Sequence, residues 1–245
     1  MIFQLDSITD LFLAWVLLLH PAMAWRGYKR LNRRESIGPK IYRFRLTFYA
    51  ILFATLIALL AAVTNQLSLG LAVSYYSVLL GLIFGVVLVA SATRQPRKVD
   101  PAQQERIRLL YAPTNTKEWI WAVWIGICAG IGEEIVYRAV LFQIVVQVTS
   151  SASVALLVCV LAFAVAHLPQ GIRATLAIAL MGISFHILYF VSGGLAAPIV
   201  AHVTYDVVLF TIFYRREIRK SKNGILTEAE PMPPETSRLL DSSVS

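Results

Sequence analysis

The sequence predicts an all-α protein, a polytopic membrane helix bundle with about seven transmembrane helices around a polar cavity. The composition indicates a membrane protein, because 58% of the 245 residues are hydrophobic and 15% are charged, whereas about a quarter are charged in soluble domains. The mean hydropathy is +0.68. Seven apolar stretches approach the roughly 20 residues that cross a bilayer: 8–25, 46–64, 69–92, 119–148, 152–167, 173–191 and 196–214.

The first stretch is predicted to be a retained helix rather than a cleaved signal peptide. Ala22-Met23-Ala24 resembles a signal-peptidase site. However, Asp6 and Asp10 occupy the flank where a secretory signal has Lys or Arg, and the basic cluster follows the apolar run instead of preceding it.

The distribution of basic residues predicts the orientation. Apart from Arg138, the 22 Lys and Arg residues fall into four segments: eight in 26–45, six in 94–117, one at 173 and six from 215 onward. A seven-helix path places all four segments on one side of the membrane. Because cytoplasmic loops are enriched in Lys and Arg, we expect the N-terminus outside and the C-terminus in the cytoplasm. This bias also explains the net charge of +8, so no nucleic-acid partner is expected.

Two segments outside the apolar stretches have predictable features. Asp100 and Pro101 indicate a helix N-cap and first residue, which predicts a short interfacial helix through Leu110; a solvated linker is the alternative. The tail from Ser221 contains Pro, Ser and Glu and is predicted to be disordered. The predicted organisation has three parts: a three-helix region at 1–118, a helical core at 119–214 and a cytoplasmic tail at 215–245.

The fourth stretch carries three charged residues in an apolar environment, Glu133, Glu134 and Arg138. One isolated ionisable side chain at the bilayer centre costs roughly 3 kcal/mol or more, so such residues are normally paired and functional. Glu134 and Arg138 are four apart on one helix face and are predicted to form a structural ion pair. Glu133 points about 100° away and is left free for chemistry in a hydrated cavity.

The fourth stretch is also longer than a straight crossing requires. Its 30 residues correspond to about 45 Å of helix, against a hydrocarbon core of about 30 Å. We therefore expect it to tilt, protrude or bend. Gly126, Gly130 and Gly132 lie on one side of it just before the glutamates, which predicts close approach of another helix.

Two further polar sites lie in apolar stretches. His167 ends the fifth stretch, and His202 and Asp206 lie four apart in the seventh. One shared polar centre explains them together with Glu133. Counting residues along the helices, however, places Glu133, His167 and His202 at different depths in the membrane. Their side chains can meet only if the helices tilt strongly or if the connection near 192–198 dips inward. His20 and His186 fit no pattern; we expect His20 at the interface and His186 beside the cavity.

The polar residues form three ordered patterns. They are Glu133-Glu134 with Arg138, Phe163 with His167, and His202 with Asp206. In this order they resemble the Glu-Glu-x-x-x-Arg, Phe-x-x-x-His and His-x-x-x-Asn/Asp motifs of the CPBP family, the CAAX-protease and bacteriocin-processing (Abi-type) intramembrane proteases. The resemblance covers residues 119–214.

The resemblance implies an intramembrane endopeptidase acting on a membrane-associated peptide, either lipidated and CAAX-like or leader-type. Glu133 and His167 would activate water, and His202 and Asp206 would stabilise the oxyanion. Asp206 departs from family members with Asn, because an ionised carboxylate cannot donate a hydrogen bond.

The cofactor is left open at this point. The resemblance implies either a metal-free glutamate mechanism or a metal, and we favour the first. If a metal is present, Glu133, His167 and His202 would offer one carboxylate and two imidazoles, an acceptable catalytic zinc set. The local spacing does not require zinc, because it differs from His-Glu-x-x-His.

Two other functions are compatible with a polar centre in the membrane. A non-proteolytic bacteriocin-immunity or membrane scaffold protein would keep these residues for folding or partner binding. A proton-coupled transporter would use Glu, His and Asp as a relay. The transporter is disfavoured because the sequence has no visible inverted repeat.

Overall fold

The computed structural model describes residues 6–33, 35–94 and 101–223, and every regular element in those ranges is helical. The all-α prediction is confirmed. Eight helices follow one another there: α1 Ser7–Asn32, α2 Lys40–Thr64, α3 Tyr75–Arg94, α4 Pro101–Tyr111, α5 Thr116–Thr149, α6 Ala152–Ala166, α7 Ile172–Ser192 and α8 Ala196–Lys222.

Six of these helices are long and apolar enough to cross a membrane: α1, α2, α3, α5, α7 and α8. The seventh apolar helix, α6, has 15 residues and a length of about 22 Å, which is less than the roughly 30 Å of the hydrocarbon core. The predicted bundle of about seven helices is confirmed in this form. The helices fit an integral, multi-pass membrane protein.

Several predicted boundaries need correction. Helix α3 begins at Tyr75 rather than at 69, because the preceding segment is not helical and its Gly70 carbonyl accepts a hydrogen bond from the Leu195 N–H (2.9 Å). Helix α8 continues to Lys222, beyond its predicted end at 214. The predicted disordered tail otherwise lies outside the described residues.

A helix is present where a short one was predicted, as α4, Pro101–Tyr111, and its interfacial location stays a prediction. Its predicted N-cap, Asp100, lies outside the described residues. The helix is neither long enough nor apolar enough to count as a span, and it connects the third and fourth long apolar helices.

Helix α8 packs closely against both α5 and α3, and small residues make this possible. A Cβ atom added at Gly130 of α5 would lie 2.7 Å from the Val203 backbone nitrogen of α8. Gly81 and Gly85 of α3 lie equally close to the backbone of Ala197 and Ala201 of α8. The predicted close approach is confirmed at Gly126 and Gly130 of α5, where the partner is the helix that carries His202. Gly132 faces Thr55 of α2 instead, so the prediction that all three glycines lie on one side is wrong.

Helix α5 changes its winding immediately after the two glutamates. Residues Ile135–Leu141 form a π-helical segment, and all seven are buried. π-Helical turns are rare in proteins, and those that do occur are often found at functional sites. The complete helix has 34 residues and a length of about 51 Å, longer than the sequence predicted.

Two connections between helices pack closely against the rest of the protein. The chain from α7 to α8 turns at Gly193 (φ 75°), and Leu195 at the start of α8 is fully buried. This burial is against other parts of the protein, and the inward dip of the connection toward the membrane interior stays a prediction. After the short α6, a 3₁₀ turn at Leu168–Gln170 leads into α7, and Gly27 of α1 packs against Pro169 in this turn.

Candidate active site

Glu134 and Arg138 form an ion pair in the interior of the bundle. Arg138 Nη1 donates to Glu134 Oε1 at 3.2 Å, and both side chains are 0% exposed. The guanidinium also lies 4.6 Å from the ring centroid of Phe163 and 5.4 Å from that of Phe185. Cation–π contacts of this kind are strongest where water is excluded, so the two aromatic rings help to hold Arg138 in place.

The same carboxylate oxygen also binds the imidazole of His202. Glu134 Oε1 accepts a hydrogen bond from His202 Nδ1 at 2.8 Å. A carboxylate that accepts from one ring nitrogen sets the orientation of the ring and the tautomer. Arg138, Glu134 and His202 therefore form a buried chain of hydrogen bonds, which we call the Arg-Glu-His relay.

The relay directs the second imidazole nitrogen toward two other carboxylates. His202 Nε2 lies 3.9 Å from Glu133 Oε2 and 3.6 Å from Asp206 Oδ2. The Glu133 and Asp206 side chains are 19% and 20% exposed, in contrast to Glu134. Glu133 Oε2 has no hydrogen-bond partner among the described residues. These two carboxylates line the accessible side of the polar centre.

His167 lies at the C-cap of α6, beside the Phe163 ring. Its Nδ1 donates to the Phe163 carbonyl at 2.8 Å, because a carbonyl oxygen can only accept. In the neutral ring this leaves Nε2 as an acceptor. The Phe163 ring centroid lies 4.8 Å from that of His167 and 6.4 Å from that of His202, and Asp206 interacts electrostatically with His167. The structure thus places all four predicted catalytic residues around one region.

A protein-family model matches the part of the chain that contains this region. Residues 115–208 match the family model of the Rce1-like type II CAAX prenyl endopeptidases. The resemblance inferred from the three motifs is confirmed. No curated protein and no solved structure matches the chain.

The Rce1-like region contains the whole relay and the other predicted site residues, and the match supports a protease, that is, a hydrolase. The matched residues, 115–208, do not include helices α1 to α4. Chemically, a carboxylate beside an imidazole with a free acceptor nitrogen can take a proton from water, and general-base catalysis of this kind contributes about 10²–10⁴-fold.

Two residues before the Rce1-like region interact electrostatically with residues of the site, and the motifs did not reveal them. His20 of α1 stacks on Trp15, with ring centroids 6.4 Å apart, and interacts electrostatically with Glu133 and His167. The sequence predicted only an interfacial position for His20, and the structure adds this proximity to the polar centre. Tyr111 ends α4 and interacts electrostatically with Glu133 and Asp206.

His186 and the relay are neighbours, although His186 does not face the accessible side. It is 1% exposed, and its Nδ1 donates to the Gly182 carbonyl at 3.0 Å. It interacts electrostatically with Arg138 and Glu134. We therefore assign it to the packing behind the relay.

The side chains do not form the ligand group that a metal would need. Within the part of the chain that the structure describes, no three His, Cys, Asp or Glu side chains are arranged to hold a metal ion. The predicted set of Glu133, His167 and His202 therefore does not fit as placed. His202 Nδ1 is occupied by Glu134, and its Nε2 faces two carboxylates.

Proposed function

We propose that this protein is an intramembrane endopeptidase of the CAAX type, which hydrolyses a peptide bond in a membrane-associated peptide. The observation that carries the proposal is the Arg-Glu-His relay, which presents one imidazole nitrogen to the partly accessible carboxylates of Glu133 and Asp206. The relay lies inside a region that matches a family of endopeptidases.

In the proposed reaction Glu133 is the general base. It takes one proton from a water molecule that also donates to His167 Nε2. The water oxygen forms a bond with the scissile carbonyl carbon, and the carbonyl π electrons move to the oxygen and form an oxyanion. When the tetrahedral intermediate collapses, the C–N bond breaks and Glu133 returns the proton to the leaving amine. The products are a carboxylic acid and an amine, and no residue is consumed.

His202 is proposed to act on the oxyanion. When both its nitrogens carry protons, Nδ1 donates to Glu134 and Nε2 can donate to the developing negative charge. Preorganised donors of this kind stabilise oxyanions without a reorganisation cost at the moment of reaction. Glu134 and Arg138 are then positioning residues, since they act through the imidazole.

The substrate is proposed to be a peptide held at the membrane by a lipid or by an apolar segment. The lipidated, CAAX-like class follows from the matched family, and the leader-type class follows from the wider resemblance. The lipid bilayer is the second partner, because six helices are long and apolar enough to cross it.

The test compares purified full-length protein with Glu133→Gln and His167→Ala variants on a farnesylated C-terminal peptide and a leader-type peptide in detergent. We expect each variant to lose at least about 100-fold in kcat/KM, the size of a general-base contribution. The control is Glu105→Gln, which removes a carboxylate from the exposed face of α4 and should change kcat/KM less than about twofold.

Three results would contradict parts of the proposal. Full activity in both variants would exclude the roles of Glu133 and His167. Loss of activity on chelation, with recovery on addition of zinc, would replace the metal-free scheme. A wild-type protein that cleaves neither peptide would instead favour the immunity or scaffold function.

A further inference from the structure

Helix α7 carries none of the predicted catalytic residues, yet one of its side chains contacts the Arg-Glu-His relay. Phe185 of α7 is 1% exposed and lies in the interior of the bundle. Its ring centroid lies 5.4 Å from that of His202, and the two rings are inclined at 59°. The same ring lies 5.4 Å from the guanidinium of Arg138. One apolar side chain therefore contacts both ends of the relay.

The Phe185 ring acts differently on the two ends of the relay. The face of an aromatic ring attracts a cation such as Arg138, and this attraction is largest where water is excluded. Aromatic rings in contact also prefer particular mutual inclinations, so the contact with His202 favours one orientation of the imidazole. The single hydrogen bond from His202 Nδ1 to Glu134 does not by itself set the plane of the imidazole, whereas packing against a ring does. That plane determines where Nε2 points.

Phe163 of α6 contacts the same two groups as Phe185. Its ring centroid lies 4.6 Å from the Arg138 guanidinium and 6.4 Å from the centroid of the His202 ring. The Phe163 ring is nearly perpendicular to the imidazole, at 85°, so the two phenyl rings meet it at different inclinations. Rings from two helices thus restrict the imidazole, and the shorter of the two ring distances is the one to Phe185. Phe163 belongs to one of the three motifs, and Phe185 belongs to none.

Helix α3 contacts both Phe185 and the helix that carries His202. The Phe84 ring of α3 lies 5.7 Å from the Phe185 ring at 89°, the edge-to-face arrangement that aromatic pairs favour. A Cβ atom added at Gly85, the next residue, would lie 3.2 Å from the Ala201 Cα atom, one position before His202. The same part of α3 therefore packs against both partners of the contact between Phe185 and His202.

We propose that Phe185 is a positioning residue for His202, whose ring holds the imidazole so that Nε2 faces the developing oxyanion, and that Phe84 holds the ring of Phe185 in place. This inference rests on the proposed endopeptidase function, in which His202 Nε2 donates to the oxyanion. Phe185 acts through the imidazole. The inference assigns a role in the reaction to α7, which carries no motif residue, and to α3, which precedes the Rce1-like region.

The first test measures peptide cleavage by the full-length Phe185→Leu variant. Leucine keeps an apolar side chain but removes both aromatic contacts with the relay. We expect kcat to fall about 10- to 100-fold with KM nearly unchanged, because a small displacement of a positioned group affects the transition state more than substrate binding. Phe84→Leu should lower kcat by about two- to fivefold, the size of one aromatic pair contact, since it loosens the Phe185 ring without removing it.

Phe12→Leu is the matched control for Phe185→Leu. Phe12 of α1 is 0% exposed and belongs to a different apolar cluster from Phe185. The same chemical change in an equally buried position should lower the midpoint of thermal unfolding by a similar amount. It should leave kcat within about twofold, because it does not act on the relay.

The second test observes His202 directly and does not require cleavage activity. Proton–nitrogen correlation spectra of protein with isotope-labelled histidine distinguish Nδ1 from Nε2, and His202→Gln identifies the His202 signals among the four histidines. In the wild type we expect one set of His202 signals with a proton on Nδ1, the donor to Glu134. In Phe185→Leu these signals should broaden or split into two sets, and in Phe12→Leu they should stay as in the wild type.

Several results would overturn the assignment. If Phe185→Leu changes kcat no more than Phe12→Leu does, or changes only KM, the ring does not position the oxyanion donor. Unchanged His202 signals in Phe185→Leu would show that the bond to Glu134 alone fixes the imidazole. If Phe185→Leu does not fold, both measurements are made on Phe84→Leu, and wild-type behaviour of that variant overturns the assignment. Failure of the proposed function is distinguishable, because the wild type then cleaves neither peptide while the nitrogen signals still report whether Phe185 orders His202.

Discussion

At the scale of single residues, one carboxylate oxygen organises the site. Glu134 Oε1 accepts from Arg138 on its own helix and from His202 on α8. A buried ion pair gains little net stability from its formation, because desolvation opposes it, but breaking such a pair is costly, because one charge is left without compensation. The position of His202 thus depends on a cation that it does not touch.

We predict that Arg138→Met lowers the free energy of unfolding by about 3–5 kcal/mol, the usual cost of leaving one buried charge unpaired. The double variant Glu134→Gln/Arg138→Met should recover part of this loss, because it removes the stranded carboxylate. Urea or thermal unfolding in detergent measures both values.

The matched control for this prediction is Arg173→Met, which removes an exposed arginine from the start of α7. It should change the free energy of unfolding by less than about 0.5 kcal/mol. An Arg138→Met protein as stable as this control would show that the ion pair does not secure the bundle.

Sequence spacing predicted the contacts within helices and missed those between them. Glu134 with Arg138, and His202 with Asp206, are four apart, so helix geometry alone brings each pair together. The bond between Glu134 and His202 joins residues 68 positions apart, and no periodicity encodes it. His20 and Tyr111 were missed for the same reason, since only the packing of α1 and α4 against the turn at Pro169 brings them near.

At the scale of helices, the crossing of α5 and α8 sets the distance between Glu133 and His202. Gly130 lies against the backbone of Val203, which is the residue after His202. Both the glutamate and the histidine are therefore within one turn of the closest contact between the helices. A change at this contact acts directly on the site.

We predict that Gly130→Ala destabilises the protein by about 1–3 kcal/mol, as expected when a methyl group is forced into a filled contact. It should also lower kcat/KM, because α8 must move away from α5 and take His202 with it. Peptide cleavage and unfolding in detergent are measured on the same preparation.

Gly182→Ala is the control for this prediction. A Cβ atom at Gly182 would meet Phe163 at 3.4 Å, an ordinary contact. Activity and stability should therefore stay near those of the wild type. If Gly130→Ala behaves like Gly182→Ala, the helix crossing does not determine the geometry of the site.

The short helix α6 illustrates where a helix prediction from hydropathy falls short. The apolar run at 152–167 was predicted as a span, but α6 ends at Ala166 and the chain turns through Pro169. Hydropathy reports only that a segment avoids water, and both a lipid-facing span and a short helix packed inside a bundle satisfy this. The short length is relevant to the site, because the helix ends at Ala166 and His167, one of the predicted catalytic residues, is its C-cap.

At the scale of the whole molecule, the predicted odd number of passages would place the two ends on opposite sides of the membrane. Six described helices are long enough to cross, and the predicted path counts α6 with its turn as a seventh passage. The concentration of Lys and Arg then gives the orientation, with the C-terminus predicted in the cytoplasm.

Cysteine accessibility tests this orientation. In a protein with Cys128→Ala and Cys159→Ala, we expect Ser68→Cys to react with a membrane-impermeant maleimide on intact cells. Ser221→Cys should react only after lysis, because five passages separate the two exposed positions. The opposite pattern would reverse the orientation, and equal labelling of both would contradict an odd number of passages.

The pairing of Glu134 with Arg138 on a single helix also matters before the protein is complete. Chains are made from the N-terminus, so α5 leaves the ribosome and meets the lipid well before α8 exists. During that interval Glu134 lacks His202, but it already has a counter-charge one turn away. The newly made α5 therefore enters the bilayer with the charge of Glu134 already paired with that of Arg138. His202 later binds a carboxylate that is already part of an ion pair.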